Sequence, residues 1–211
     1  DLQSIEELTG IENGARIRIG AMTTQADIID NASLASSAPI LKEASLQIAD
    51  PQVRYMGTVG GNVANGDPGN DMPGLMQCLD ATFILRGPNG GREVKARDFY
   101  HAAYMTERED DEVMVAVTFD APKGGYAYEK QKRKIGDYAT AAAAVILSKE
   151  GTACKDASVA MTNLSDTPIV CSVASESLVG TTVSSEDIKK AVDAMLEAID
   201  PAEDNRGPIE F

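Results

Sequence analysis

Ile48-Ala-Asp-Pro-Gln-Val-Arg-Tyr-Met-Gly-Thr-Val-Gly-Gly-Asn-Val-Ala-Asn-Gly-Asp-Pro-Gly-Asn-Asp-Met-Pro73 is the most informative stretch of this 211-residue chain. At its centre stand three glycines within five residues, Gly57, Gly60 and Gly61. Such a run lets the backbone take positive φ and leaves no Cβ to obstruct a ligand. Consecutive N–H groups in a turn of this kind can face one concavity and hold a phosphate. Thr58 adds a hydroxyl, and Asn62 an amide that both donates and accepts. Asp67 and Asp71 follow at a spacing that can reach back to a ligand's hydroxyl or ring N–H groups. The chemistry suggested is the binding of a pyrophosphate-containing cofactor. Alone, Gly57–Asn62 is more often a plain turn; it is neither a Gly-x-Gly-x-x-Gly fingerprint nor a P-loop.

Outward from this stretch, the pattern is α+β in both halves of the chain. Residues 15–20 alternate as a strand, and Thr23 or Thr24 then caps a helix running to about Ile29. Pro39 opens a helix with Ile40, Leu41, Ala44 and Ile48 at helical spacing. Asp71 as cap and Pro73 in the first turn open another. Ala81–Arg86, the turn Pro88–Gly91 and Arg92–Ala96 read as a hairpin, and Glu112–Phe119 as a further strand. The breaker-rich Pro122-Lys-Gly-Gly125 divides the chain into units 1–121 and 122–211. In the second unit, Tyr126–Arg133, Ala141–Ser148 and Ser158–Thr162 read as strands, with helix as the competing reading for the alanine-rich run. Val173–Leu178 is a short helix, and Ser184 opens a longer one with capping-box character, ending near Ile199.

Bulk properties narrow the function. The net charge of −14 disfavours nucleic acid, which needs clustered Lys and Arg to neutralise phosphate. No apolar run is long enough to span a membrane, and no signal-peptide pattern opens the chain, so a cytoplasmic location is expected. Cys78, Cys154 and Cys171 lack metal-ligand spacing and are expected to be buried, reduced thiols. The single His101 speaks against a His-rich metal site or a catalytic triad and is expected at the surface. Glu107–Glu112 is expected to be a solvated acidic loop.

Several spaced segments together resemble the FAD-binding medium subunits of molybdenum hydroxylases, the xanthine dehydrogenase and carbon monoxide dehydrogenase family. They are Ile17–Thr24, Gly57–Asn62, Asp67–Pro73, Tyr128–Ala139 and Asp204–Phe211, and the resemblance covers essentially the whole chain. It implies a flavin-binding, PCMH-like α+β subdomain followed by a smaller α+β domain with a three-stranded antiparallel sheet and helices. It also implies an oxidoreductase subunit that uses FAD to pass electrons from iron–sulfur clusters to an external acceptor, beside a molybdopterin-containing large subunit and an iron–sulfur small subunit. Thr58, Val59, Gly60, Gly61 and Asn62 would contact the pyrophosphate and ribityl chain, and Asp71 a polar edge of the flavin. Ile48 would pack on the cofactor, Met114 would line its pocket, and Lys130, followed by Lys134, would bring positive charge near the ring. Read without the family, Asp71 is equally a helix cap, Lys130 to Lys134 a solvated basic patch, Ile48 and Met114 core residues, and Asp67 a turn initiator. The family's other Gly-rich loop, of Ala-Gly-Gly type, has no counterpart upstream of residue 17. The expectation is therefore a fragment with half of the FAD clamp absent, in which FAD is either held by the remaining half or lacking. The alternative function is a non-redox docking module of such a complex.

Overall fold

The computed structural model describes residues 2–211. Strands β1 (Ile11–Glu12) and β2 (Arg16–Gly20) begin the first sheet. In β2, Ile17 and Ile19 are fully buried while Arg16 stays exposed, the period-2 alternation of a strand with one face on a core. The hairpin β3 (Thr82–Gly87) and β4 (Gly90–Lys95) and the strand β7 (Val113–Asp120) complete an antiparallel sheet of order β1-β2-β7-β3-β4. A small hairpin, β5 (Tyr100–Ala102) with β6 (Met105–Thr106), stands outside it.

The acidic run before β7 is less solvated than its composition suggests. Arg92 on β4 makes a bidentate pair with Glu112 at 2.7 and 2.8 Å, and its Nη1 reaches Glu107 Oε1 at 3.0 Å. The exposed His101 bonds the other oxygen of Glu107 at 2.8 Å. The Glu112 side chain is only 10% exposed. Arg92's hydrogen bonds lower the Glu112 carboxyl from 4.5 to about 2. A carboxyl with a depressed folded value contributes stability that is present above the unfolded value and lost as pH falls through the folded one. Thermal unfolding followed from pH 4.5 down to about 2 is therefore expected to show a steeper loss in wild type than in Glu112→Gln. Parallel curves would remove this pair from the acid response.

Six helices fill the interval between β2 and β3: α1 (Gln25–Asp30), α2 (Ala32–Ser37), α3 (Pro39–Gln47), α4 (Pro51–Met56), α5 (Val59–Ala64) and α6 (Asp71–Cys78). Thr24, not Thr23, caps α1 through a reciprocal box with Asp27. Asn31 caps α2, Asp50 caps α4, and proline opens both α3 and α4. Asn70, not Asp71, holds the N-cap position of α6, which is buried along its whole length. A helix buried on every side must have neighbours all round. The neighbours of α6 include α3, α5 and a second sheet.

That sheet is antiparallel, in the order β11-β10-β9-β8, from β8 (Gly125–Gln131), β9 (Ala141–Glu150), β10 (Ala153–Thr162) and β11 (Ile169–Val170). Three long strands are thus joined by a two-residue fourth, which the three-strand expectation did not include. The alanine-rich run is strand, because Ala142 and Ala144 pack towards α6 while Val145 and Leu147 pack against a second cluster. That second cluster lies under α7 (Ser172–Leu178) and α8 (Ser185–Ala198), the latter capped by a Ser184–Asp187 box. Tyr128, Ala142, Ala144 and Ala160 of the second sheet belong to the same core as Ile17, Phe83 and Leu75 of the first unit. All three cysteines are buried and free. No helix among the described residues is long and apolar enough to cross a membrane.

Candidate functional site

Gly57–Asn62 is not an open loop. It is the cap and first turn of α5, tied to the segment before α1. Thr58 and Thr24 form an antiparallel bridge, with Gln25 N–H donating to Gly57 C=O and Val59 N–H to Thr23 C=O, both at 2.9 Å. Gly60 N–H donates to Ala21 C=O at 2.9 Å, Gly61 N–H to Thr58 Oγ1 at 3.1 Å, and Asn62 N–H to Thr58 C=O at 3.0 Å. The N–H groups of Val59, Gly60, Gly61 and Asn62 thus each have a partner within the chain. The Val59 side chain is buried in the core, not presented to a ligand.

The two glycines serve different ends. A Cβ on Gly60 would stand 2.5 Å from Ala21 Cβ and 2.7 Å from Ala21 O, so Gly60 allows α5 to touch the chain beside β2. A Cβ on Gly61 would meet only Thr58 Oγ1, at 3.0 Å. Gly61 is exposed and faces a groove.

That groove is two adjoining hollows. One, of about 320 Å³, is lined by Gln25, Ile48, Val53, Met56, Gly57, Thr58, Gly61 and Asn62. The other, of about 260 Å³, shares Ile48, Val53 and Asn62 and adds Asn70, Asp71, Gly136 and Tyr138. Ile48 is the wall common to both, as a packing surface should be. Arg54 Nη1 holds the α3–α4 turn by donating to Ile48 C=O at 2.9 Å and Ala49 C=O at 3.0 Å. Ala49 is left at φ 44°, in the left-handed region. Across the groove, Gly136 packs so close that a Cβ would stand 2.9 Å from the Ala49 carbonyl. Asn62 Oδ1 accepts from Met72 N–H at 3.2 Å, and its C=O accepts from Asn70 Nδ2 at 2.9 Å, fixing α5 to the start of α6.

Asp71 forms the far end of the second hollow. Its Oδ2 pairs with Lys130 Nζ at 2.8 Å, and its Oδ1 accepts from the Tyr128 hydroxyl. Residues 128 and 130 lie on the same face of β8 because side chains alternate along a strand. Lys130 also donates to Gln47 C=O at 3.3 Å, and Lys132 to Gln47 Oε1 at 2.8 Å. The Lys130 side chain is 1% exposed and that of Asp71 6%, so this basic residue is not a solvated patch. Burial pushes the Asp71 carboxyl above its usual range, against Lys130 and Tyr128, which pull it down. Burial, with the Asp71 charge beside it, pushes the Tyr128 hydroxyl well up. Lys130 thus stands behind Asp71 and is compensated by it, lining neither hollow of the groove.

Met114 lies in the sheet core, paired across from Leu85, and lines neither hollow. Lys134 is exposed. Asp67 holds the turn, accepting from Gly69 N–H at 2.9 Å and from the Tyr104 hydroxyl at 3.0 Å. Gln25 on α1 and Val53 on α4 also line the groove, as do Gly136 and Tyr138 from the segment between β8 and β9, which belongs to the resembling stretch Tyr128–Ala139 but carried no assigned role. Thr58, Gly61, Asn62, Ile48 and Asp71 are brought together along the groove.

Comparison with known proteins bears on this arrangement. Residues 1–122 match the family described as FAD binding domain in molybdopterin dehydrogenase, and residues 126–211 match the CO dehydrogenase flavoprotein C-terminal domain. The carbon monoxide dehydrogenase medium chain of Afipia carboxidovorans is 54% identical, over 100% of this chain and 74% of the relative. The glyceraldehyde dehydrogenase medium chain of Sulfolobus acidocaldarius is 31% identical, over 98% and 74%. Among solved structures, reconstituted CO dehydrogenase from Oligotropha carboxidovorans superposes with a TM-score of 0.97 at 53% identity, covering 100% of this chain and 74% of the matched one.

Proposed function

Because this chain belongs to the family of FAD-binding medium chains of molybdopterin dehydrogenases, we propose that it holds FAD in the groove between α5, the α3–α4 turn and Asp71, as the electron-transfer subunit of a carbon monoxide dehydrogenase-type complex. The observation that carries the reading is the groove itself. Its two adjoining hollows, of about 320 and 260 Å³, together reach the size of small-molecule sites. They bring an apolar wall, Ile48 and Val53, together with the polar groups of Thr58, Asn62 and Asp71, the mixture such sites use. The residues present therefore fit a flavin nucleotide. Bound FAD supplies the redox chemistry, taking up electrons and releasing them to an acceptor.

The chain's own part is to bind and orient. Thr58 offers its hydroxyl at the mouth of the groove, Gly61 leaves the approach open, and Ile48 gives an apolar surface. Asp71 offers a carboxylate whose position Lys130 and Tyr128 hold. The partners on this reading are a molybdopterin-containing large subunit, which oxidises the substrate, and an iron–sulfur small subunit, which delivers the electrons.

The test is an absorbance spectrum of the chain after incubation with excess FAD and desalting. Retained flavin bands are the expected result. Thr58→Ala removes both the α5 cap, worth about 1 kcal/mol, and a groove hydroxyl, and is expected to weaken FAD binding about tenfold. Colourless wild-type protein would overturn the reading for this chain and favour a docking module without flavin.

A further inference from the structure

The stretch Asp204–Phe211 lines neither hollow of the groove, yet it reaches the groove wall at one remove. The contact is made by Arg206. Its backbone N–H donates to Asp204 Oδ1 at 2.7 Å, and its Nε and Nη2 both lie 2.6 Å from Asp204 Oδ2. With that edge of the planar guanidinium fixed, Nη1 donates to Ala139 C=O at 3.0 Å. Ala139 is fully buried and is held from two further sides. Its N–H donates to Gly69 C=O at 3.3 Å, and Asn163 Nδ2 donates to its C=O at 2.9 Å and to Thr140 C=O at 3.1 Å. The anchored Ala139 directly follows Tyr138. The segment between β8 and β9 that ends there carries Gly136, Asp137 and Tyr138 into the second hollow. Tyr138 is 54% exposed, so little packing fixes its ring apart from the backbone that carries it. Over Gly69 the arginine also meets the ring: a Cβ there would stand 3.3 Å from Arg206 Nη1 and 3.4 Å from Tyr138 Cδ1.

We infer that Arg206 is a positioning residue of the cofactor groove, holding Tyr138 through Ala139 C=O and the packing over Gly69 so that the tyrosine forms an aromatic wall for the flavin. The inference rests on the FAD reading of the groove. The second hollow has the surfaces a flat ring needs. Ile48, Ala49 and Val53 are apolar and Tyr138 is aromatic, and ring contacts of that kind add to the gain from burial alone. Arg206 lines no part of the hollow, so it acts only through the segment it holds. That gives the far end of the second unit a part in the groove that no contact with the cofactor would reveal.

A double-mutant cycle tests this. Dissociation constants for FAD are measured by titration of the whole chain in wild type, Arg206→Ala, Tyr138→Ala and the double variant, alongside thermal unfolding. Tyr138→Ala is expected to bind FAD about tenfold more weakly, the loss of one aromatic contact. Arg206→Ala is expected to bind it about fivefold more weakly, because the tyrosine is present but no longer held. The double variant is expected to bind no more weakly than Tyr138→Ala alone, since the arginine then has nothing to position. Arg206→Lys, whose single ammonium cannot reproduce the fork that serves Asp204 and Ala139 together, is expected to follow the same pattern with a loss of about twofold, and it carries the test if Arg206→Ala does not fold. A merely structural arginine would lower the melting temperature and weaken FAD by the same factor with or without Tyr138, and that additive result would overturn the inference. FAD binding unchanged in Arg206→Ala or in Tyr138→Ala, with the wild type binding FAD, would overturn it as well and leave the groove reading intact. A wild-type chain that binds no FAD would overturn the inference together with the reading beneath it.

Discussion

Asp71→Ala is expected to destabilise the chain by about 3–5 kcal/mol, because removing one member of a buried pair leaves the other charge uncompensated. The Lys130 ammonium would keep only the Gln47 carbonyl at 3.3 Å, and the Tyr128 hydroxyl would lose its acceptor. At roughly 2–4 °C per kcal/mol for a chain of this size, the melting temperature should fall by about 10 °C. FAD retention should be lost with it. A second variant separates the two losses. Replacing both partners, Asp71→Leu with Lys130→Met, removes the unpaired charge and is expected to recover part of the melting temperature, since apolar substitution of a complete buried pair is often close to neutral. It should not recover FAD retention if Asp71 touches the cofactor. A melting temperature that hardly moves in Asp71→Ala would show that the pair contributes little. Flavin retained by the double variant would show that Asp71 acts on stability alone.

Gly60→Ala is the second large effect, and it runs against the habit of assigning every glycine of such a stretch to the ligand. The added methyl meets backbone, Ala21 Cα at 2.8 Å and Ala21 O at 2.7 Å, which cannot swing aside as a side-chain tip can. To make room α5 must shift and give up the Gly60 N–H bond to Ala21. Overpacking of this kind costs about 1–3 kcal/mol, and the rigidity of the obstacle places Gly60→Ala at the upper end. Because Thr58 and Asn62 move with α5, FAD binding should weaken as well. Gly61→Ala is the control. Its methyl meets only the Thr58 hydroxyl, at 3.0 Å, a side-chain tip that yields by a few tenths of an ångström, and alanine is the better helix former by up to about 1 kcal/mol, which offsets that contact. It should melt no lower than wild type while still weakening FAD. Equal melting temperatures for the two variants would contradict the packing described for Gly60.

Much of the architecture is legible in local patterns. The alternation of Ile17 and Ile19, the Ser184–Asp187 capping box and the proline opening α3 depend on interactions within a few residues, and they appear where expected, whereas the proline-opened α4 was not among the expected helices. The alanine-rich run Ala141–Ser148 did not decide itself, because alanine favours helix while the run is also apolar enough for a buried strand. Pairing with β8 and β10 settled it. The acidic run Glu107–Glu112 looked solvated because its partner, Arg92, lies on another strand.

What the sequence by itself determined is the set of groups and their order: the strands and capped helices, the segment from Ile48 to Pro73 that carries most of the groove, and the family resemblance spread along the chain. Those follow from short-range physics and from motifs that can be read in one dimension. What only the tertiary structure decided is which of those groups remain free. Gly60 and Gly61 are neighbours of identical chemistry, yet one is spent on contact with Ala21 and the other faces the groove. The N–H groups that look available in sequence are bonded to Thr23, Ala21 and Thr58. Lys130, 59 residues from Asp71, is neutralised by it rather than offered to a ligand. A hydrogen-bonding group acts on a ligand only if the fold has not already satisfied it, and that depends on long-range neighbours no local pattern contains.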